Sequence, residues 1–487
     1  MKKTTLFVVL LGLTNALFSA GNDSDVNKKY PVAELRQDYM ILRTVLENVQ
    51  PSLYRYTHKK VMDSFLDEQF SSIQQPMSEL EFLAFLQGTT TRVGNGHSRI
   101  MPSDDYVEYS ENYIKKFPFE IVIINQHAFI VENFTADSTI TKGTEILSIN
   151  GIPFNVIYAQ ISPVLPVDGY SRGFSHGKLA MDFAFHYSLY YPDLGSFDLE
   201  LLPPGAKRPI LKNVPGLLEQ EIEKKTTLQD TEKNYFQLRF TDDSIAILKL
   251  ENFWHKSFKP FIDNAFEQMA RNNTRTLIID LRDNRGGNDD NGVYLYSYIS
   301  DKPFKYYSRM ETRLGPNQQN IPCMEYVKNP ETFKDIVTLI TRDEQGRNVI
   351  TYPDTTIGFV KPGKTHQPKP NHFDKDVYVL INGLSFSVTS DFCAIADYNN
   401  RAVFVGSETG GCYYGNTSGY SFNLVLPNTK LDVRLNLIEY LTAVENTRHP
   451  YGRGVLPDHY VYPSAMDINH DIDRELEYTL ALTRMKK

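Results

Sequence analysis

Hydrophobic and polar positions divide the chain into a helical beginning, an alternating middle and a later region of solid apolar runs. Glu34-Leu-Arg-Gln-Asp-Tyr-Met-Ile-Leu-Arg-Thr-Val-Leu-Glu47 puts Leu35, Tyr39, Leu42 and Val45 or Leu46 on one helical face, and Pro51 ends the pattern. Ser78-Glu-Leu-Glu-Phe-Leu-Ala-Phe-Leu86 opens with a capping signature and predicts a second helix. That helix delivers Arg92-Val-Gly-Asn-Gly-His97, with glycine as the expected stop. From Phe117 the period changes to that of strands. Residues 119–124 and 128–131 flank a turn, and residues 140–153 alternate around the hairpin pair Asn150-Gly151. An aromatic-rich helix is expected over 179–190 and a final helix over 466–484. Between them, Ser244-Ile-Ala-Ile-Leu-Lys-Leu250, the run around Leu277-Ile-Ile279 and Val377-Tyr-Val-Leu-Ile381 read as strands buried on both faces. A helix over 260–269 joins the first two, and strand–helix–strand succession implies parallel pairing.

Two of these runs end in residues that carry chemistry. After Ile381 come the turn signal Asn382-Gly383 and Leu-Ser-Phe-Ser387-Val-Thr-Ser-Asp391, then a helix-like stretch. Strand, tight turn, serine and helix together hold a nucleophile at the positive end of a helix dipole. Ser385 and Ser387 also suit ordinary helix capping. The earlier run ends in Asp280-Leu-Arg-Asp-Asn-Arg-Gly-Gly287. Glycines 286 and 287 let backbone N–H groups approach a ligand oxygen closely, as an oxyanion hole requires, although a glycine pair also serves as a plain turn.

Four segments in this order resemble the C-terminal-processing (tail-specific) serine peptidase family: Leu277–Gly287, Phe386–Phe392, Val405-Gly-Ser-Glu-Thr-Gly-Gly411 and Gly454-Val-Leu-Pro-Asp458. The resemblance implies an α/β fold with a crotonase-like (ClpP-like) spiral β/α core, an N-terminal helical cap and a PDZ-like β module. It puts the nucleophile on Ser387, with oxyanion donors from Val388 and from Gly286 or Gly287. Many members use a lysine base shortly after the Gly-Glu-x-Thr segment. Here that position is Cys412, and no lysine lies between Lys375 and Lys430. The chain resembles instead the tricorn-like and retinoid-binding-protein-like branch, whose glycine–histidine motif is similar to Asn95-Gly-His-Ser98 and makes His97 the candidate base. Asn95, Ser98, Glu408 and Glu445 are candidates to orient it. Phe386 and Trp254 suit either an apolar substrate pocket or the core.

Composition narrows the function classes. With 51 basic and 59 acidic residues and no basic run, nucleic acid is not an expected partner. No His-Glu-x-x-His and no Cys/His clustering suggest a metal, and no cofactor is expected. Cys323, Cys393 and Cys412 can form at most one bridge. Residues 1–20 have the basic start, short apolar run and small-residue end of a bacterial secretory signal, which implies a periplasmic or secreted protein without a membrane span once the signal is removed. The expected organisation is a signal at 1–20, a helical cap at 28–110, and a PDZ-like module with a connecting helix at 115–215. A peptidase core follows at 230–465, with an insertion at 303–371 bordering the substrate groove or running over the surface, and a C-terminal helix at 466–487. The expected function is an exported serine endopeptidase acting near protein C-termini. Its rivals are a non-catalytic binder of hydrophobic ligands or peptides on the same fold, and a hydrolase of small esters.

Overall fold

The structure is a computed structural model describing residues 28–191, 195–227, 234–241, 244–353, 360–445 and 448–485; the expected signal at 1–20 lies outside them. The apolar runs form one sheet in the order His459–Tyr460, Val403–Gly406, Asp376–Ile381, Thr276–Asp280, Ile245–Leu250, Phe236–Thr241. The first five strands are mutually parallel, and the last is antiparallel to its neighbour. Strand period two splits the side chains between two cores. Leu248, Leu277, Ile279, Val377 and Val379 pack with the helices Phe258–Arg271, Asp289–Ile299 and Val388–Tyr398. Ile247, Ile278, Tyr378 and Leu380 face the opposite way, onto Leu476 and Leu480 of the helix Arg474–Met485. Both faces are therefore covered, which is why these strands read as solid apolar runs. Each aliphatic side chain fully buried this way contributes about 1.5–3 kcal/mol.

A second sheet explains how the N-terminal helices reach the core. The short strand Arg99–Met101, two residues past His97, pairs antiparallel with Asp432–Thr442, with Arg99 opposite Arg434. Asp432–Thr442 also pairs with Asn416–Val425 and with Tyr307–Glu311, and Asn348–Ile350 and Ile340–Arg342 extend the sheet. The 303–371 stretch thus contributes three strands to this sheet, and Tyr306 and Tyr307 within it are fully buried. A third sheet, Phe119–Ile124, His127–Asn133, Glu145–Ile149, Ser196–Leu202 and Ile210–Pro215, has its own core around Ile121, Ile130, Ile146 and Leu199.

Two expectations are corrected. The final helix is two, Ala465–Asn469 and Arg474–Met485, because Asp471 takes a left-handed φ of 51° between them. The aromatic-rich helix breaks at Asp182, whose φ of −114° and ψ of 31° end Arg172–Met181 before Phe183–Tyr190 begins. No cysteine is bridged: Cys323, Cys393 and Cys412 are free thiols.

Candidate active site

Ser387 stands where the buried strand Asp376–Ile381 turns into the helix Val388–Tyr398, with φ 58° and ψ −130°. Positive φ is strained for a residue with a side chain and persists only where the surroundings enforce it. Here Gly286 presses on the turn: a Cβ there would lie 2.7 Å from Ser387 Cβ and 2.9 Å from Val388 N. Asn284, fully buried, ties the two segments together. Its Oδ1 accepts from Gly286 N–H (2.9 Å) and Thr389 Oγ1 (2.7 Å), its Nδ2 donates to Leu250 O (2.9 Å), and its carbonyl accepts from Phe386 N–H (3.1 Å). Nothing in the sequence pattern singled out Asn284; only the convergence of two loops does.

The same turn separates the two serines. Ser385 is a structural hydroxyl, fully buried, donating to Leu281 O at 2.8 Å and accepting from Asn382 N–H at 3.0 Å. Ser387 is the N-cap of its helix but makes no capping bond, and its Oγ has no hydrogen-bond partner among the described residues. Val388 N–H and Gly287 N–H likewise donate to nothing among the described residues, whereas Gly286 N–H is taken by Asn284. Farther along the helix, Asp391 accepts from Tyr307 Oη at 2.8 Å and from Asn416 Nδ2, which anchors the second sheet to the serine's helix.

His97 arrives from the opposite side of the fold. Gly94 ends the helix Glu79–Val93 with a left-handed φ of 70°, and Asn95 Oδ1 accepts the His97 N–H at 2.9 Å while Asn95 Nδ2 holds Ser98 Oγ at 2.8 Å. The imidazole lies against Phe386, centroid to centroid 4.4 Å, and Phe386 stacks on Phe174 at 4.1 Å. Phe386 is thus a packed spacer beside Ser387. Both ring nitrogens are buried without a hydrogen-bond partner, so the 16 % of the side chain that remains exposed belongs to carbon atoms. Burial, with a smaller push from the Arg434 guanidinium, holds the imidazole down at about 3. His97 thus packs on Phe386, the residue before Ser387, and no hydrogen bond joins its ring to Ser387.

The expected orienting groups are otherwise engaged. Asn95 and Ser98 bond each other, and Glu408 Oε1 accepts from Arg453 Nε and Gly454 N–H, both at 2.8 Å. Glu445 faces Tyr398, at the far end of the serine's helix. The carboxylate beside His97 is instead Asp168, whose Oδ1 lies 3.9 Å from His97 Nδ1 and accepts Gly96 N–H at 2.7 Å. Burial pushes Asp168 up to about 7, with the Gly96 N–H and then Arg55 pulling back. Cys412 is buried beside this group, receives the Tyr56 hydroxyl at 3.4 Å, and is pushed up to about 12 by burial. Trp254 lies at the Gly287 loop, 73 % exposed, so it is not core. A cavity of about 590 Å³, lined by Tyr56, Arg92, Gly94, Val167, Gly169 and Tyr170 among others, runs behind the His97 loop. Among the described residues no His, Cys, Asp and Glu group could hold a metal, and no helix is long and apolar enough to cross a membrane.

Residues 244–461, the segment bearing Gly286, Gly287 and Ser387, match the model of Peptidase family S41. No curated protein matches the chain by sequence. Among solved structures, mature CPAF complexed with lactacystin superposes with a TM-score of 0.63 at 17 % identity, covering 93 % of this chain and 98 % of that one. Mature CPAF alone gives 0.61 at 16 %, covering 92 % and 95 %, and the two likenesses show a shared fold. The photosystem II D1 C-terminal processing protease aligns over 91 % and 99 % at 12 % identity with a TM-score of 0.41, too loose to compare positions.

Proposed function

We propose that this protein is an exported serine endopeptidase in which Ser387 attacks the scissile carbonyl and His97 is the base. The observation that carries the reading is the strained turn at Ser387, where an unbonded hydroxyl lies beside two unbonded backbone N–H groups, on Val388 and Gly287. Ser387 Oγ bonds the carbonyl carbon as its proton passes to His97 Nε2, and the oxyanion is held by those two N–H groups. His97 then gives the proton to the leaving amine, and the acyl-enzyme is hydrolysed by a water that His97 deprotonates in turn. Cys412, held neutral by burial where a lysine base would stand in many relatives, leaves the imidazole as the base. Export rests on the 1–20 pattern. The core is taken as crotonase-like and the 119–215 module as PDZ-like. That module has an edge strand, Ile210–Pro215, with Leu211 82 % exposed, to which an extended chain end could add as a further strand. The absence of a Ser387–His97 hydrogen bond favours one rival, a binder of hydrophobic ligands or peptides that has lost hydrolysis.

A fluorophosphonate probe decides between them. Covalent capture at Ser387, lost in Ser387→Ala and reduced about 10²–10⁴-fold in His97→Ala, supports the peptidase. No labelling of the unsubstituted protein, with retention of a hydrophobic dye, supports the carrier.

A further inference from the structure

We propose that Asp168 is the group that orients His97 during catalysis, closing onto Nδ1 from an open resting arrangement. The inference rests on the reading of Ser387 and His97 above and supplies its third member. Buried polar atoms are almost always hydrogen-bonded, and stranding one costs about 1–3 kcal/mol. Yet His97 Nδ1, His97 Nε2 and Asp168 Oδ2 are all buried and without partners among the described residues, and they belong to side chains that face each other. Such a cluster persists where function uses the free valences. A movement of about 1 Å brings the Nδ1–Oδ1 separation of 3.9 Å into N–H···O range. Asp168 is itself fixed by Gly96 N–H, one residue from the imidazole, so the carboxylate and the ring share one short loop. A side chain at Gly96 would crowd its neighbours, since a Cβ there would lie 3.0 Å from the Phe386 ring and 3.1 Å from Asp168 N.

The remaining charges around the pair leave this as its natural contact. Arg434, across from Arg99, acts on His97 and disfavours the imidazolium. Arg55 acts on Asp168 but is held by Glu439 at 3.1 Å, and Tyr56, Cys412 and Asp391 lie near Asp168 without bonding it. An imidazolium formed at His97 thus has one carboxylate within reach. With Nδ1–H donated to Asp168, Nε2 is left as the acceptor of the Ser387 proton. The ionised form of Asp168 is the one that receives this N–H, and it takes no proton from the ring.

The test follows the rate of fluorophosphonate labelling at Ser387 against pH, for the unsubstituted full chain and for Asp168→Asn and Asp168→Glu, with active sites counted by total labelling. Asp168→Asn is expected to slow labelling roughly 10²–10⁴-fold per active site and to move the rising limb of the profile to lower pH, because the imidazolium has lost its counter-charge. Asp168→Glu is expected to restore part of the rate and the position of the limb. A merely structural role would reduce the number of active sites without moving the limb. An unchanged rate per site, or an unmoved limb, overturns the inference. If Asp168→Asn does not fold, the phosphonylated unsubstituted protein carries the test: a strongly downfield His97 Nδ1–H proton resonance supports the pairing, and its absence overturns it. Labelling that requires Ser387 and His97 but ignores Asp168 defeats this inference alone, whereas labelling independent of Ser387 defeats the reading beneath it.

Discussion

The two sides of the proposed active site are built on opposite principles. Around Ser387 the buried polar groups are bonded: Asn284 joins the glycine loop to the serine's turn, Ser385 and Ser390 close the turn on itself, and Tyr307 fixes the helix. What is left unbonded, the Ser387 hydroxyl and the N–H groups of Val388 and Gly287, is the set of atoms that meets a substrate carbonyl in the proposed reaction. Around His97 the backbone is bonded and the side chain is not: Asn95 holds the N–H, while the imidazole and Asp168 leave three buried atoms stranded. On the proposed reading, the first side is set by its hydrogen bonds before substrate arrives, and the second stands about 1 Å short of the pairing it needs. Preorganised donors cost no reorganisation at the moment of reaction. An unsatisfied pair can be completed by a ligand.

The comparison breaks most sharply at Gly286. Its φ of 92° and the 2.7 Å approach to Ser387 Cβ leave no space for a methyl group, so Gly286→Ala is expected to displace the turn and cut the labelling rate by roughly 10²–10³-fold, the scale of a lost oxyanion donor. Labelling at the unsubstituted rate would show that the turn is not rigid. Next in size, Asn284→Ala strands Gly286 N–H and the Thr389 hydroxyl, and is expected to cost about 1–3 kcal/mol for each, read as a lowered midpoint in urea. Thr389→Val, which removes one of those bonds, should cost less.

The His97 side is sharpened by pH. The imidazole is held at about 3 against an ordinary 6.5, so its contribution to stability is present above about 6.5 and is lost as pH falls toward 3. Asp168 has the opposite sign. Raised from 3.8 to about 7, its contribution is present below about 3.8 and is lost as pH rises to 7. Urea midpoints followed from pH 3.5 to 8 should therefore lose part of their acid slope in His97→Gln. Asp168→Asn should instead remove a decline between pH 4 and 7. Identical slopes in both variants would contradict the assignment of these buried groups. The smallest effect belongs to Trp254. As an exposed ring beside Gly287, its replacement by alanine is expected to raise KM for fluorescently labelled casein a few-fold with kcat little changed, and an unchanged KM would remove it from the substrate path.

Much of the parallel sheet and the serine-bearing turn was legible because the signals are local. Solid apolar runs over 245–250, 276–280 and 376–381 announce strands covered on both faces, and Asn382-Gly383 followed by small hydroxyl residues announces the turn. Local dihedral preference misled where one residue decided the matter: Asp182 and Asp471 each break a stretch whose apolar spacing continues through them. The choice between Ser385 and Ser387 was not local at all. It depends on Leu281 O lying within reach of one hydroxyl and on Gly286 lying behind the other.

The sequence alone announced most of the elements, the glycine pair and a serine-bearing turn, because strand period, turn chemistry and helix spacing act over a few residues. Only the tertiary structure decided that Arg99–Met101 pairs with a strand more than three hundred residues later and carries His97 to Phe386. It also decided that Asp168, rather than Glu408 or Glu445, faces that histidine. The physical reason is that burial and partnership are properties of neighbours. A carboxylate in the chain has the same chemistry at every position until packing chooses which cation, amide or imidazole it meets.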